Sequence, residues 1–200
     1  MSLDLQLDTK NRDLIQWNGR VVMSSSERPF LEELFKLVRT IPANRVLEIG
    51  FGLGISAKLI QRHMRPKSHH IVEIHREIFR DLVTFARSRV GVTGYHADFW
   101  SFKPKTKYDF IFFDPFDYHD VEEAFYPSPT DDSRYDEDKA VRFAELVAPG
   151  GIVCCPHFGS GPFEKMPGFF CVRKVRMRVK PFLLESGRTT TQAGFSCWRG

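Results

Sequence analysis

A glycine-dense turn limits what this chain can fold into more than any other stretch. The apolar run from Arg45 to Ile49 reads as a short buried strand, and Gly50, Gly52 and Gly54 follow it directly. Apolar residues spaced for one helical face come next. Glycines at such a strand-to-helix crossing permit a tight turn and let a ligand lie on the backbone. The free N–H groups of the new helix favour a carboxylate-bearing or anionic ligand. The turn therefore predicts a ligand site, with a purely structural turn as the alternative.

Carboxylates end the later apolar runs of the chain. Glu73 ends the second run, about 20 residues after the glycines, where a ribose-binding acid is expected. Asp98 ends the third run, where a second acid would meet an adenine, and Asp114 ends the fourth. Glu48 lies inside the first strand, where it either contributes to the site or accepts hydrogen bonds from loop amides. Because ligands bind at the carboxyl ends of parallel strands, we expect these acids at one edge of the sheet.

The remaining pattern predicts an α/β fold. Continuous apolar strands alternate with amphipathic helices, which is typical of a parallel sheet covered on both faces. The alternation from Val172 to Lys180 predicts an antiparallel strand with a basic outer face. A helix is expected to begin at the serines before Glu27, and Pro149-Gly-Gly151 predicts a turn before the fifth strand. We expect a single domain over residues 1–200, in which the structure of the N-terminal arm, residues 1–22, is not determined by the sequence and residues 23–200 form the core.

The composition fits one folded domain. The chain has 200 residues, of which 42% are hydrophobic, so it can bury a sizeable core. Its net charge of +4 is small for a dedicated nucleic-acid binder. Neither the four cysteines nor the seven histidines show metal-ligand spacing, so we expect reduced thiols, no metal site and a cytoplasmic location. No signal peptide or membrane-spanning run is recognisable, so no membrane partner is expected.

These motifs resemble the class I S-adenosylmethionine-dependent methyltransferases over nearly the whole chain. The matching parts are Glu48-x-Gly50-x-Gly52-x-Gly54, the acids Glu73, Asp98 and Asp114, and Leu146-Val-Ala-Pro-Gly-Gly151. The resemblance implies a Rossmann-like methyltransferase fold with a mostly parallel seven-stranded sheet and a C-terminal antiparallel hairpin. It also implies S-adenosyl-L-methionine as cofactor, with its methionyl part on the glycine turn and its ribose on Glu73. The late Pro-Gly-Gly turn disfavours a dehydrogenase of similar layout.

The chain is most similar to guanidino N-methyltransferases, such as guanidinoacetate methyltransferase and its fungal arginine methyltransferase relatives. Val46-Leu-Glu-Ile-Gly-Phe-Gly-Leu-Gly-Ile-Ser-Ala57 is close to that family's first motif. Gly19-Arg-Val-Val-Met-Ser-Ser-Ser-Glu27-Arg-Pro-Phe resembles its upstream segment. The resemblance implies that Met23 lies by the cofactor, that Glu27 and Asp114 grip the guanidino group, and that the arm forms a lid. The residues predicted to bind the cofactor are Met23, Glu48, Gly50, Gly52, Gly54, Glu73 and Asp98.

The chemistry of a guanidinium supports a role for two carboxylates. Its pKa lies above about 12 and it has no free lone pair, so it does not attack a methyl sulfonium unaided. Two carboxylates on its edges can hold one nitrogen in line with the methyl group, and one can accept the departing proton. We predict Asp114 as the main base and Glu27 as its partner, with the order open.

The chain departs from the guanidino family after the fifth strand. Where the family holds the substrate's carboxylate with an Asn and a Thr or Ser, this sequence has Cys155-Pro-His157-Phe-Gly-Ser160. His157 or Ser160 could substitute, or the substrate differs there. Guanidinoacetate, arginine, an arginine-derived intermediate and an amidine-bearing compound all stay open.

Other functions are weaker alternatives. Asp114-Pro-Phe-Asp-Tyr118 is similar to the Asp-Pro-Pro-Tyr element of nucleobase amino-methyltransferases, although its second proline is replaced. The basic row from Lys174 to Lys180 is the other feature in favour of nucleic acid, which we otherwise disfavour as a partner. A protein-arginine methyltransferase and a non-enzymatic cofactor-binding regulator are also open. The oligomeric state is not fixed by the sequence, a homodimer being one option.

Overall fold

The structure, a computed structural model, describes residues 6–116 and 132–200, with side chains in the second range from residue 136 onward. Within these residues no helix has the length and apolarity that crossing a bilayer requires. In chain order the elements are β1 (Thr9–Lys10), β2 (Leu14–Trp17), β3 (Arg20–Ser24), a 3₁₀ helix (Ser25–Glu27), α1 (Arg28–Val38), β4 (Arg45–Ile49), α2 (Ile55–His63), β5 (Ser68–Glu73), α3 (Arg76–Arg87), β6 (Val92–His96), β7 (Tyr108–Phe113), α4 (Asp132–Leu146), β8 (Val147–Phe158), β9 (Phe170–Leu183) and β10 (Thr189–Arg199).

Seven strands form one sheet in the order β6-β5-β4-β7-β8-β10-β9. Strands β4, β5, β6, β7 and β8 run parallel to one another. Strand β10 is antiparallel to both β8 and β9. The chain therefore builds outward from β4 in one direction and then returns to add β7 on the other side. This reversal places a topological switch point between β4 and β7. The predicted fold class, including the C-terminal antiparallel hairpin, is confirmed.

Both faces of the parallel sheet are covered, which explains why its strands are apolar throughout. Along β7, Phe110 and Phe112 belong to the cluster beneath α1 and α2. The alternate residues Ile111 and Phe113 belong to the cluster beneath α4. A side-chain period of two sends successive residues to opposite faces, so a strand buried on both faces cannot alternate with polar residues.

From residue 6 onward, the N-terminal arm contains regular strands, which the sequence alone left undetermined. Strands β1, β2 and β3 form a separate antiparallel sheet. The turn between β2 and β3 is Asn18-Gly19, and both residues have positive φ angles, of 50° and 71°. Asn-Gly is a strong hairpin signal because both central residues of the tight turn need positive φ. Ile15 and Val21 are buried in this sheet.

The predicted helix start is present and is built by a capping box. The Ser24 side chain caps the 3₁₀ helix, and the Glu27 carboxylate accepts the Ser24 backbone N–H at 2.8 Å. Two otherwise unpaired backbone donors are satisfied in this way. The 3₁₀ helix leads into α1, which ends at Val38, four residues before Pro42. The box fixes Glu27 at the point where the N-terminal sheet joins the core.

The predicted Pro149-Gly-Gly151 turn is a bulge within β8. Tyr108 pairs with Val147 and Phe110 with Ile152, so the intervening residues of β8 loop out opposite a single residue of β7. The positive φ of 75° at Gly150 allows this bend. Helix α4 is therefore followed directly by strand rather than by a separate turn.

Strand β9 forms the edge of the sheet and is longer than predicted. Lys174, Arg176, Arg178 and Lys180 are exposed, whereas the alternate residues Val175, Met177 and Val179 are partly buried. The predicted alternation is thus correct. A row of charges on an edge strand discourages pairing with another sheet.

Candidate active site

A cavity of about 870 Å³ lies at the carboxyl ends of β4, β5, β6 and β7. Its size is within the range of about 300–1,000 Å³ that is usual for small-molecule and cofactor sites, and it lies at the switch point of the sheet. Most of the predicted site residues line it: Met23, Glu27, Gly50, Gly52, Glu73, Asp98, Asp114 and His157. Glu48, Gly54 and Ser160 are not part of its wall.

The glycine turn brings the ends of β4 and β7 into close contact. Gly50 has a φ of 86°, and a Cβ added there would lie 2.6 Å from the Asp114 carbonyl oxygen. The Asp114 N–H donates to the Ile49 carbonyl at 3.2 Å, which continues the pairing of the two strands. A glycine is therefore needed at position 50 both for its backbone angle and for space. Gly54, in contrast, is the N-cap residue of α2.

Met23 rests on the glycine turn from the side of the N-terminal sheet. Its Sδ atom accepts the Leu53 backbone N–H at 3.1 Å, and a Cβ on Gly52 would collide with the same sulfur atom. The side chain is buried, yet it forms part of the cavity wall. The N-terminal sheet thus contributes directly to the cavity.

Glu48 lies beneath the turn rather than in the cavity. Its carboxylate is fully buried, accepts the Ser56 hydroxyl through Oε1, and has Oε2 2.9 Å from the His69 Nε2. His69 in turn has its Nδ1 3.1 Å from the Gln61 side-chain nitrogen. Glu48 is therefore placed to brace β4, α2 and β5 against one another.

The two acids predicted to meet ribose and adenine are tied to the backbone of the cavity wall. The Glu73 carboxylate accepts the backbone N–H groups of Phe51 at 3.0 Å and His75 at 2.7 Å. Burial raises the pKa of Glu73, and these hydrogen bonds oppose the rise. Asp98 accepts the Trp100 N–H at 3.1 Å. Both carboxyl groups are held in fixed orientations at the ends of β5 and β6.

Glu27 and Asp114 are two titratable acids on the same cavity. Burial raises the pKa of Glu27 to about 8; the charge of Asp114 adds to the rise, and the hydrogen bond from Ser24 opposes it. Burial also raises the pKa of Asp114 to about 7, with further contributions from Glu48 and Glu164. Raised pKa values that have a specific charge partner are frequent in active sites. The raised pKa values predict that the two groups hold protons near neutral pH, and a nearby cation would favour their ionised forms.

The end of β8 and the loop that follows it each bring one more polar side chain to the cavity, His157 and Glu164. Burial and the charge of Arg176 lower the pKa of His157, so its ring is neutral at pH 7. Glu164 also lines the cavity, and its Oε2 accepts Lys139 Nζ at 2.7 Å. Glu164 could not be predicted as a site residue from the sequence, because it lies in a loop whose path depends on contacts distant in sequence.

Arg20, on β3, joins the N-terminal sheet to the rest of the cavity wall. Its Nε donates to Glu185 Oε1 at 2.6 Å, and its guanidinium lies 4.8 Å from the centre of the Phe116 ring. The backbone N–H of Val21 also donates to the Glu185 carbonyl at 2.8 Å. These contacts hold the arm against the β9–β10 turn. The prediction that the arm acts as a lid stays a prediction.

The fold and the glycine-turn cavity define a class I S-adenosylmethionine-dependent methyltransferase, with S-adenosylmethionine as the cofactor. The family model described as guanidinoacetate N-methyltransferase matches residues 5–161. The chain belongs to this family. No curated protein sequence matches the chain significantly.

Solved structures support the fold at low sequence identity. The N-methyltransferase NodS from Bradyrhizobium japonicum WM9 is 15% identical with a TM-score of 0.63, over 88% of this chain and 96% of that one. A second NodS structure, in complex with S-adenosyl-L-homocysteine, gives 12% and 0.61, over 88% of each chain. A methyltransferase from Pyrococcus furiosus is 16% identical with a TM-score of 0.57, over 96% and 88%.

Replacing Gly50 with alanine should damage the site far more than the same change at another glycine with a positive φ angle. The added Cβ would force the Asp114 carbonyl away from the turn. Gly168→Ala is the matched control, because Gly168 has a similar φ of 77° but open space around it. The backbone strain alone costs about 1 kcal/mol. We expect Gly50→Ala to weaken S-adenosylhomocysteine binding at least about tenfold beyond the control, as measured by calorimetry. Equal affinities in the two variants would contradict this account of the turn.

Proposed function

We propose that this methyltransferase transfers a methyl group to a nitrogen of the guanidino group of a small molecule, such as arginine, guanidinoacetate or a related compound. One observation carries the proposal: Glu27 and Asp114 place two carboxyl groups with raised pKa values on the cavity that also contains the glycine turn. Membership of the guanidinoacetate N-methyltransferase family supports it.

The carboxyl pair suits a guanidinium for electrostatic reasons. Burial, with a smaller contribution from nearby carboxylates, raises the pKa values of Glu27 and Asp114. A cation bound by the two groups offsets both effects, and the two groups ionise as it binds. Each carboxylate can then accept paired N–H donors from one edge of the planar guanidinium. Glu27 is fixed by the capping box and Asp114 by the junction of β4 and β7, so the guanidinium is held in one orientation.

Asp114 is the proposed proton acceptor. Methyl transfer to a guanidinium nitrogen gives a methylguanidinium of unchanged charge, so one proton must leave that nitrogen. With a pKa raised to about 7, Asp114 accepts this proton at neutral pH more readily than an ordinary aspartate would. The proton returns to solvent when the product leaves. Glu27 keeps the other edge of the guanidinium in place.

The cavity fits S-adenosylmethionine, which supplies an electrophilic methyl group when bound. Gly50 and Gly52 leave their backbone open to a ligand, and Met23 borders the same surface. We assign Glu73 to the ribose hydroxyls and Asp98 to the adenine side. Glu48 and Gly54 support the turn from outside the cavity. His157 is the proposed neighbour of the substrate's other end.

The activity should depend on pH through the carboxyl pair. Both pKa values are raised, so the empty site keeps its protons up to about pH 7 at Asp114 and about pH 8 at Glu27. A guanidinium binds to the ionised pair. We therefore expect kcat/KM for a guanidine to rise by about 500-fold from pH 6 to pH 8 and to level off above about pH 9. The measurement is initial-rate kinetics across this range. A flat profile between pH 6 and pH 8 would contradict the proposed pair.

The nucleobase alternative has less support. It depends on Asp114-Pro-Phe-Asp-Tyr118, of which Asp117 and Tyr118 lie outside the described residues. The basic row on β9 is the other observation in its favour. That row is equally explained by its position on an edge strand, where charges discourage pairing with another sheet. Salt-dependent binding of nucleic acid to the protein would support this alternative. A cytoplasmic location and the oligomeric state stay predictions.

A further inference from the structure

We propose that the substrate carries an amine, and no carboxylate, at the end opposite its guanidino group, and that Glu164 binds this amine. The proposal rests on the guanidino assignment above and narrows it to aminoalkyl guanidines. It concerns the part of the cavity that His157 and Glu164 border.

The charge of the cavity wall favours a cationic substrate over a zwitterionic or anionic one. Among the described residues, the wall contains six carboxyl groups and a single guanidinium, and no lysine: Glu27, Glu73, Asp98, Asp114, Glu164, Glu185 and Arg20. A substrate carboxylate would meet like charges here, which is costly where water is partly excluded.

The one cationic side chain of this wall is already engaged. Arg20 binds Glu185 through its guanidinium and lies over the Phe116 ring. Turning it toward a substrate carboxylate would break both contacts and leave Glu185 unpaired. His157 does not replace it, because its lowered pKa keeps the ring neutral at pH 7.

Glu164 is positioned to accept an ammonium group. Its Oε2 is fixed by Lys139, which is itself buried and also lies 3.3 Å from Asp136 Oδ1. Lys139 is not part of the cavity wall, so it orients the carboxylate from behind. A carboxylate has about four lone-pair sites, so a second ammonium can share Glu164 with Lys139.

Three guanidines of matched length test the proposal: agmatine, butylguanidine and 4-guanidinobutyrate, which end in an ammonium, a methyl and a carboxylate. Their kcat/KM values are measured with the wild-type protein, and their Kd values by calorimetry with S-adenosylhomocysteine bound. We expect agmatine to be preferred over 4-guanidinobutyrate at least about tenfold in both quantities, with butylguanidine between them.

Glu164→Gln should reduce the ratio of the agmatine to the 4-guanidinobutyrate value about tenfold, to near unity. The ratio is the readout because the charge of Glu164 also raises the pKa of Asp114, so its loss changes the rates of all three compounds. Glu33→Gln is the matched control, since Glu33 forms a surface pair with Lys36 on α1 and should leave the ratio unchanged. The thermal melting temperature of Glu164→Gln, compared with that of the wild-type protein, shows whether the fold tolerates the loss of the Lys139–Glu164 ion pair.

The outcomes separate this proposal from the assignment on which it rests. If 4-guanidinobutyrate equals or exceeds agmatine in the wild-type protein, the amine proposal is overturned and the guanidino function stands. An unchanged ratio in Glu164→Gln also overturns it. If none of the three compounds binds or reacts while S-adenosylhomocysteine binds, the guanidino function fails and this proposal with it.

Discussion

Asp114→Asn lowers kcat/KM for a guanidine by about 1,000-fold, the usual scale for the loss of a general base that also orients the substrate. The amide occupies the same space and can still accept one hydrogen bond. It cannot take the departing proton, and its NH₂ group faces a guanidinium that has only donors. Cofactor affinity should change little, because the side chain is assigned to the substrate.

The same variant should be more stable than the wild-type protein at high pH. An acid whose folded pKa is raised contributes stability that is lost as the pH rises from its unfolded value through its folded one. For Asp114 that window runs from its ordinary pKa of 3.8 to about 7. A neutral amide removes the loss, so Asp114→Asn should melt at a higher temperature than wild type at pH 8. An inactive variant with lower stability would instead indicate damage to the fold.

Glu27→Gln lowers kcat/KM by about 100-fold, mainly through KM, because Glu27 holds the guanidinium without taking its proton. Glutamine keeps the Ser24 hydrogen bond, since an amide oxygen also serves at this position of a capping box. The helix start should therefore survive the change. Equilibrium binding of the guanidine, compared with binding of S-adenosylhomocysteine, separates substrate affinity from cofactor affinity.

The two substitutions should not be additive. Once one carboxylate is lost, the guanidinium is no longer held on both edges, and losing the second costs less. The double variant should therefore be only slightly worse than Asp114→Asn alone. If the losses in kcat/KM of the two single variants multiply fully in the double variant, the two acids act on separate steps. That result would contradict binding of one guanidinium by both carboxylates.

Local periodicity explains why much of this architecture could be predicted. The strand Arg45–Ile49 has the bounds expected from its apolar run. Parallel strands place their carboxyl ends at one edge, so Glu73, Asp98 and Asp114 reach the same cavity without any knowledge of packing. Glu27 joins them because its helix start follows a strand of the N-terminal sheet.

The features that were missed depend on long-range contacts or on an overlooked turn. The hairpin in the arm is marked by Asn18-Gly19, a local signal that could have been read. Glu48 braces the turn because His69, on the neighbouring strand, faces it, and strand pairing decides that contact. Glu164 reaches the cavity wall from a loop, where Lys139 from α4 donates a hydrogen bond to it. No spacing along the sequence indicates these last two contacts.

The most direct test of the central claim is the release of S-adenosylhomocysteine with a panel of free guanidines: guanidinoacetate, arginine, agmatine and 4-guanidinobutyrate. Wild-type protein is measured beside Asp114→Asn and Glu27→Gln, with cofactor binding checked in each. We expect the wild-type protein to turn over at least one compound, and both variants to lose this turnover while still binding the cofactor. Cofactor binding without turnover of any guanidine would contradict this expectation and would direct the search to nucleic acid and to amine or hydroxyl substrates.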